Sequence, residues 1–420
     1  QNKLESSMNK PLKIVIISHA LVIPVFQNRW KQLAQDKNYE IHLLIPKYWE
    51  QTWFGEKVIY DQKEVHDENF HLYPMATTSL RNWGKYLFKS IDGKFRKIKP
   101  DLIYIIHEES ILIHHQIYLY KKLFAPEAKI IFFSMNARGI PYQKATNPIK
   151  RIVHKWMWEN IKKNTDAALV HYPGCVDSLR SGDYKKPIYL QTQVGVDETL
   201  FSPNKEIREK YRKKIGFEDK FIIGYTGRLT TDKGVDDLVA VFIKLSKRYE
   251  NIALLLVGNG DLKKPIEEDI KVNNLENRVS ITGFIDQGEV PNYMNAMDTF
   301  VLGSKTMPHW IDTFPLVTVQ AQAIKVPVIA SNSASIPWQL DDSARIFKEG
   351  DRADLSSVIV EFIENKDLRD SYAIKGQKRS HENFCHDGMT KNFKKIVDQV
   401  MNDKFIYHKK DEDYIQWKAV

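Results

Sequence analysis

Apolar residues in this chain come in short runs, many of them β-branched, separated by stretches in which they recur every three or four positions. Short runs bounded by turn residues predict buried strands, and the longer periodic stretches predict helices packed on them. In the first half, Leu12–Ser18 reads as a strand, Arg29–Gln35 as a helix and Glu40–Ile45 as the next strand. Asp101–Ile106, Lys129–Ser134 and Ala167–His171 continue the strand series. The alternation then restarts with strand Phe221–Thr226, helix Gly234–Arg248, and strands Ala253–Val257 and Val279–Thr282. Helix Val290–Ala296, strand Thr299–Leu302, helix Leu316–Ala323 and strand Val326–Ala330 complete it. Such alternation implies mostly parallel sheets with helices on both faces. Gln193–Pro203, containing Gly195, Asp197 and Pro203, has turn chemistry and reads as the linker between the two series. The halves repeat an architecture rather than a sequence.

Composition narrows the class. A chain of 420 residues is too long for one compact core and fits two domains. Its 43% hydrophobic and 27% charged residues are those of a soluble globular protein. No run nears the ~20 apolar residues that cross a bilayer. Ile14–Ile17 is too short for a signal-peptide core, and the residues before Met8 read as lying outside the fold. Two cysteines, Cys175 and Cys385, support neither a disulfide framework nor a Cys-based zinc site, which points to a reducing cytosol. The net charge of +9 is unevenly spread. Residues 1–200 carry 29 Lys+Arg against 20 Asp+Glu, and residues 201–420 carry 33 of each. The basic half would attract phosphorylated or anionic surfaces, or is simply a solvated basic face.

In open α/β sheets ligands bind beyond the carboxyl ends of the strands. One strand-end loop stands out, Gly227-Arg228-Leu229-Thr230-Thr231-Asp232-Lys233-Gly234, directly after Phe221–Thr226. Its glycines permit close backbone approach, and Arg228 and Lys233 carry the charge to neutralise a leaving diphosphate. Taken alone, the run is better read as a basic strand-to-helix turn.

This loop resembles the G-R-L-x3-K-G motif of family-four retaining glycosyltransferases with the GT-B fold, and the resemblance continues in order. Val257-Gly258-Asn259-Gly260 is similar to the family's V-G-x-G loop, and Gly283-Phe284-Ile285 to its G-F-V segment. Asp298–Ser304 is similar to the strand D-v-f-v-l-P-S, with Gly303 where proline is usual. Pro327–Ser331 with Ile336-Pro337 follows suit, and Gly195-Val196-Asp197 with Phe201 and Pro203 resembles the family's linker. The resemblance is strong from Gln193 to Arg379 and weak before that. It implies an α/β chain of two facing Rossmann-like domains with an interdomain cleft. Residues 8–195 would bind the acceptor and 196–395 the nucleotide sugar, with 396–420 crossing back to the first domain.

The resemblance also implies site residues. Arg228, Lys233 and Asp312 are expected to be catalytic, the two cations on the leaving diphosphate and the carboxylate near the donor sugar. Gly227, Gly258, Ile285, Thr313, Phe314, Leu316 and Gln320 are expected to bind the donor, Ile285 at the nucleobase and Gln320 at the ribose. The family's E-x7-E motif is altered here: Asp312 takes the first position and Gln320 the second, and Pro315 replaces the usual glycine. Glutamine keeps an acceptor but loses the charge that makes such bonds about twice as strong, and Pro315 lacks an N–H. The donor site is therefore either divergent or decayed.

The first half is less explicit. Ser18-His19-Ala20 ends the first strand without a glycine-rich loop, which leaves the acceptor for this domain. Ser134–Arg138 follows the strand after which similar enzymes place a histidine or a Gln-Asn pair. The resemblance therefore makes Asn136 the candidate for contact with the reacting sugar and Arg138 for an acceptor or phosphate contact, with an ordinary polar loop as the alternative. Glu109, in His107-Glu108-Glu109, is a further acceptor candidate. No recognisable spacing supplies three or four metal ligands, so no metal site is expected. Basic–aromatic stretches such as Arg81–Lys99 and Lys150–Lys163, the latter with Trp156 and Trp158, suit either an anionic membrane surface or a core-packed helix with a basic edge.

With these features, the resemblance implies a metal-independent, retaining hexosyltransferase without a cofactor, expected to use a UDP-sugar or GDP-sugar donor and a glycan or lipid-linked acceptor in surface polysaccharide or glycoconjugate synthesis. It is expected in the cytoplasm, at the inner face of the membrane where peripheral contact is made, and not on nucleic acid, for which no binding module is present. The altered acidic motif keeps a second reading open, a non-catalytic GT-B protein that binds glycans or serves as a partner subunit.

Overall fold

The computed structural model describes residues 10–53, 56–79, 86–107, 112–137, 139–308 and 310–403. Two compact units are present, Gln1–Gly195 with Met389–Val420, and Val196–Gly388. The first unit holds strands β1 Leu12–Ile17, β2 Tyr39–Pro46, β3 Tyr48–Trp53, β4 Glu56–Asp61, β5 Val65–His66 and β6 Phe70–Met75. Strands β7 Leu102–Ile105, β8 Lys129–Ser134, β9 Ala167–Val170 and β10 Ile188–Leu190 follow. The second holds β11 Phe221–Thr226, β12 Ile252–Val257, β13 Val279–Ile281, β14 Thr299–Leu302, β15 Val328–Ser331 and β16 Arg345–Phe347.

The first sheet runs β10-β9-β8-β7-β1-β2-β6-β5, parallel except for β5 against β6. β3 and β4 form a separate antiparallel pair. The second sheet runs β13-β12-β11-β14-β15-β16 and is parallel throughout. Parallel strands covered on both faces need no polar alternation; β12 is buried along its whole length, and β1 over its last four residues. In each sheet the earliest strand lies inside and later strands build outward on both sides. The order therefore reverses between β1 and β7, and between β11 and β14. At such a point successive connections leave toward opposite faces, and a crevice opens at the strand ends.

Most expected strands lie within a residue or two of their predicted bounds. The helix expected from Gly234 begins at Val235, because Gly234 is left-handed (φ 65°) and caps it from outside. The last expected strand starts at Val328 rather than Val326, since Pro327 has no N–H for the ladder. β5, β6, β10, β16 and the β3–β4 pair are additions to the sequence reading. The chain re-enters the first unit at Met389, inside the helix His386–Met401, rather than at 396. Residues 405–420 lie outside the described residues.

Candidate active site

The crevice at the β11–β14 reversal is built by glycines. Gly234 follows the basic loop in left-handed conformation, and a Cβ there would meet the Gly303 carbonyl oxygen at 1.9 Å. That contact ties the loop after β11 to the loop after β14. A Cβ on Gly258 would likewise stand 1.9 Å from the Gly227 oxygen, and Gly258 is bridged to Gly283. The loops carrying Gly227, Gly258 and Ile285 are thus stacked backbone on backbone at adjacent strand ends. Ile285 is half-buried against the core of this unit.

On this frame Lys233 Nζ lies 2.6 Å from Asp312 Oδ2, and Ser304 Oγ donates to the same oxygen at 2.7 Å. The Asp312 main-chain oxygen accepts from Ser335 Oγ at 3.0 Å. Asp312 is 6% exposed, so a charge held this deeply needs such partners. Lys233 Nζ also lies 4.4 Å from the Trp310 ring centroid, and the Arg228 guanidinium 5.7 Å from the same ring. Arg228 pairs with Asp232 at 2.8 Å and is nearly half exposed. Beneath it, the Tyr225 hydroxyl donates to the Arg228 carbonyl at 2.5 Å. Burial, then the Asp232 and Asp312 carboxylates, raises the Tyr225 pKa and keeps that donor protonated.

The remaining donor-site candidates lie on the same stretch. Thr313 and Phe314 connect Asp312 to Pro315, the residue preceding the helix Leu316–Ala323. Leu316 opens that helix, whose amino end favours anions, and Gln320 lies one turn further on, half-buried. The Phe314 ring packs 5.5 Å from Phe384, so its side chain serves the core of this unit. Sequence reasoning missed three contributors here. Trp310 supplies the ring face under both cations, Ser304 holds Asp312, and Lys305 joins Asp237 at 2.8 Å and Asp236 at 3.1 Å below the loop. Ser304 and Lys305 follow a predicted strand end, which was the available signal.

In the first unit the strands at the reversal, β1 and β7, end in a pair of histidines. His19 Nδ1 is 3.3 Å from His107 Nδ1, with the rings stacked at 5.0 Å. His107 Nε2 is 2.7 Å from the Tyr86 hydroxyl, and its main-chain oxygen lies 3.2 Å from His114 Nε2. Burial lowers the His19 pKa to about 4. Burial, with His19 and His114 nearby, holds His107 well below the usual range. Both rings are therefore neutral near pH 7 and can exchange hydrogen bonds with hydroxyl groups. Asn136 lies past the end of β8, its Oδ1 accepting from Lys144 Nζ at 2.6 Å. Glu109 and Arg138 lie outside the described residues.

Residues 207–379 match the family model of glycosyl transferases group 1. Among curated proteins, the chain is 31% identical over 186 residues to the capsular polysaccharide biosynthesis glycosyltransferase CapM of Staphylococcus aureus, covering 43% of this chain and 46% of that protein. It is 26% identical over 196 residues to a GDP-mannose-dependent monoacylated alpha-(1-6)-phosphatidylinositol monomannoside mannosyltransferase of Corynebacterium glutamicum, covering 46% and 51%. The chain thus spans about half the length of these relatives. Solved structures share the fold more widely. Sucrose-phosphate synthase of Thermosynechococcus elongatus superposes with a TM-score of 0.67 at 19% identity, over 93% of this chain and 100% of that one. Anabaena Alr3699/HepE in complex with UDP gives 0.64 at 14% identity, over 93% and 100%. The architecture is the GT-B fold, with two Rossmann-like units, and the resemblance to group 1 glycosyltransferases holds.

Proposed function

We propose that this chain, a group 1 glycosyltransferase by its resemblance, transfers a hexosyl residue from a nucleoside-diphosphate sugar to a glycan or lipid-linked acceptor with retention of configuration. The observation that carries the reading is the Lys233–Asp312 pair beside Arg228 at the β11–β14 strand ends. In this scheme the diphosphate enters against Arg228, Lys233 and the amino end of the helix Leu316–Ala323. Lys233 then serves the phosphate oxygens as well as Asp312, and Arg228 exchanges Asp232 for the phosphate. The bond between the anomeric carbon and the diphosphate breaks while the acceptor oxygen bonds the same face. The acceptor's proton passes to the departing phosphate oxygen. Two fixed cations supply the charge that a metal supplies elsewhere, so transfer needs no metal. Gly227, Gly258 and Ile285 border the nucleoside, Gln320 meets the ribose, and Asp312 orients the sugar. Residues 8–195 supply the acceptor contacts, Asn136 among them, with Glu109 and Arg138 retained as candidates.

Both UDP, bound by the Anabaena neighbour, and GDP, used by the Corynebacterium relative, are carried forward as donor nucleotides. The test is a thermal-shift panel of UDP, GDP, ADP, TDP and CMP with common sugar conjugates, using Arg228→Ala as control. Stabilisation by one nucleotide, lost in the variant, supports the donor site. Silence across the panel favours the second reading, a non-catalytic glycan-binding or partner subunit, which the Pro315 and Gln320 replacements motivate.

Peripheral contact with an anionic membrane belongs to the same proposal. The helix Pro148–Asn164 exposes Ile149, Ile152, Val153 and Trp156, one stripe at helical spacing, between exposed Lys150, Arg151 and Lys155. Trp156 stacks on His115 at 4.7 Å, beside a helix that exposes Leu119 and Leu123. An apolar stripe flanked by cations suits the headgroup region of a bilayer, and would bring the first unit to a lipid-linked acceptor at the cytoplasmic face. Among the described residues no helix is long and apolar enough to cross a membrane.

A further inference from the structure

A second cluster of chemistry-bearing side chains lies in the first unit, toward the amino ends of β2 and β6 and away from the strand ends discussed above. His42 on β2 is in register with His71 on β6, and His71 with His66 on β5. Register partners on neighbouring strands share a face of the sheet, so three imidazoles form a row across three strands. Glu40, two residues before His42, rises on the same face. Its Oε1 is 3.0 Å from His42 Nε2 and 3.5 Å from His71 Nε2, and one ligand atom from each of the three residues lies within 4.8 Å of the other two. His66 Nδ1 stands 3.3 Å from His71 Nδ1. Lys13 Nζ lies 3.7 Å from the other oxygen, Glu40 Oε2, leaving Oε1 to the histidines.

His42 is the residue that needs explaining. It is 3% exposed, and neither of its ring nitrogens makes a hydrogen bond, although Nε2 points at Glu40. Buried polar groups in native proteins are nearly always partnered, and a neutral imidazole with an idle lone pair beside a carboxylate and a second imidazole is a metal ligand's setting. We propose that Glu40, His42 and His71 bind a divalent transition cation of the Zn²⁺ class, with His66 steadying the His71 ring from its other nitrogen. Metal–ligand distances of ~2.0–2.1 Å in a tetrahedral site put ligand atoms roughly 3.3 Å apart, and the two measured separations bracket that value. Two imidazoles and one carboxylate select Zn²⁺ or its neighbours over Mg²⁺ or Ca²⁺. A ligating histidine is oriented by the hydrogen bond from its other ring nitrogen, and here the His66 Nδ1, 3.3 Å from His71 Nδ1, is placed to accept it. The ion would clip β2 to β6 next to the sheet edge, a stabilising role separate from the transfer site.

The test uses the full chain stripped with a chelator, titrated with Zn²⁺ by calorimetry and thermal melting, and with Co²⁺ by visible absorption. One saturable site per chain, a melting temperature raised by several degrees and a tetrahedral Co²⁺ spectrum are expected. His71→Gln and Glu40→Gln should each weaken Zn²⁺ at least tenfold while leaving far-UV circular dichroism unchanged, and His66→Gln should weaken it about 10-fold. A wild-type chain that takes up no Zn²⁺ overturns the proposal, as does His71→Gln with unaltered affinity. Should His71→Gln fail to fold, Glu40→Gln decides in the same way.

Discussion

Lys233 Nζ stands 2.6 Å from Asp312 Oδ2, joining two loops whose residues are 79 positions apart in sequence. The pair is nearly sequestered, with side-chain exposures of 16% and 8%. Removing the lysine leaves a buried carboxylate with Ser304 as its side-chain donor among the described residues. Lys233→Ala is therefore expected to cost about 3 kcal/mol of stability and to abolish glycosyl transfer. Lys233→Met combined with Asp312→Asn removes both charges and should regain most of that stability in urea unfolding, while transfer stays absent. Equal stability of Lys233→Ala and wild type would mean that the contact carries little energy.

Gly234 and Gly216 share a left-handed backbone but not an environment. Gly216, at φ 74°, has nothing within 4 Å of where a Cβ would stand, whereas Gly234 has the Gly303 oxygen at 1.9 Å. Gly216→Ala is expected to cost about 1 kcal/mol, the strain of alanine in that conformation. Gly234→Ala must in addition push the β14 loop away, so it should cost clearly more and loosen nucleotide binding. Matching losses in the two variants would sink the view that the two loops are held by direct backbone approach.

Acid sensitivity follows from buried neutral histidines. Burial lowers the His171 pKa to about 3, against about 6.5 in an unfolded chain. Between these values the unfolded chain binds a proton that the native chain refuses, so stability falls as pH drops from 6.5 toward 3 and is flat above. The slope is up to about 1.4 kcal/mol per pH unit for each such group. His171→Asn should reduce the measured slope of unfolding free energy between pH 6 and 4.5 by about one proton, with chelator present throughout. An unchanged slope would show that His171 charges in the native state.

How much of this was legible in the sequence depends on how local each feature is. β12 is an unbroken apolar run, β11 and β14 are mostly apolar, and all three are followed by glycine loops, so both type and position could be read directly. β6, Phe-His-Leu-Tyr-Pro-Met, mixes polar residues and a proline into a buried strand, and β10 has only three residues, so neither rose above its surroundings. Arg228, Lys233 and Asp312 were singled out by motif, but the Lys233–Asp312 contact and the ring face of Trp310 depend on strand order. The same holds for His19 with His107, and for Glu40, His42 and His71, which become neighbours only through strand order and register.

The exposed stripe on Pro148–Asn164 separates membrane contact from folding. Ile152→Glu with Trp156→Glu replaces two exposed side chains, 70% and 57% accessible, and so should leave the melting temperature within about a degree or two of wild type. Cosedimentation with phosphatidylglycerol vesicles should fall several-fold, while the nucleotide-induced thermal shift is retained. Binding to neutral phosphatidylcholine vesicles should be weak in both, because the cations supply the first attraction. Full retention on anionic vesicles by the double variant would leave the stripe without this role.

Gln320 offers the sharpest test of whether the donor site is divergent or decayed. It lies half-buried in the helix Leu316–Ala323, which carries no charged side chain, in the same loop-and-helix stretch as Asp312. If its side-chain oxygen accepts from the ribose hydroxyls, Gln320→Glu adds a charge to bonds already made, and charge-assisted bonds are roughly twice as strong. An extra ~1 kcal/mol corresponds to about a fivefold gain in nucleotide affinity, offset in part by the cost of half-burying a carboxylate. A gain for nucleoside diphosphates that vanishes for the free phosphates would place position 320 at the ribose. No change for any nucleotide, in a chain that still folds and binds, would put the ribose elsewhere. A chain that binds nothing with either residue would mark the replacement of the second acid as the loss of the donor site, and would turn attention to glycan binding by the intact fold.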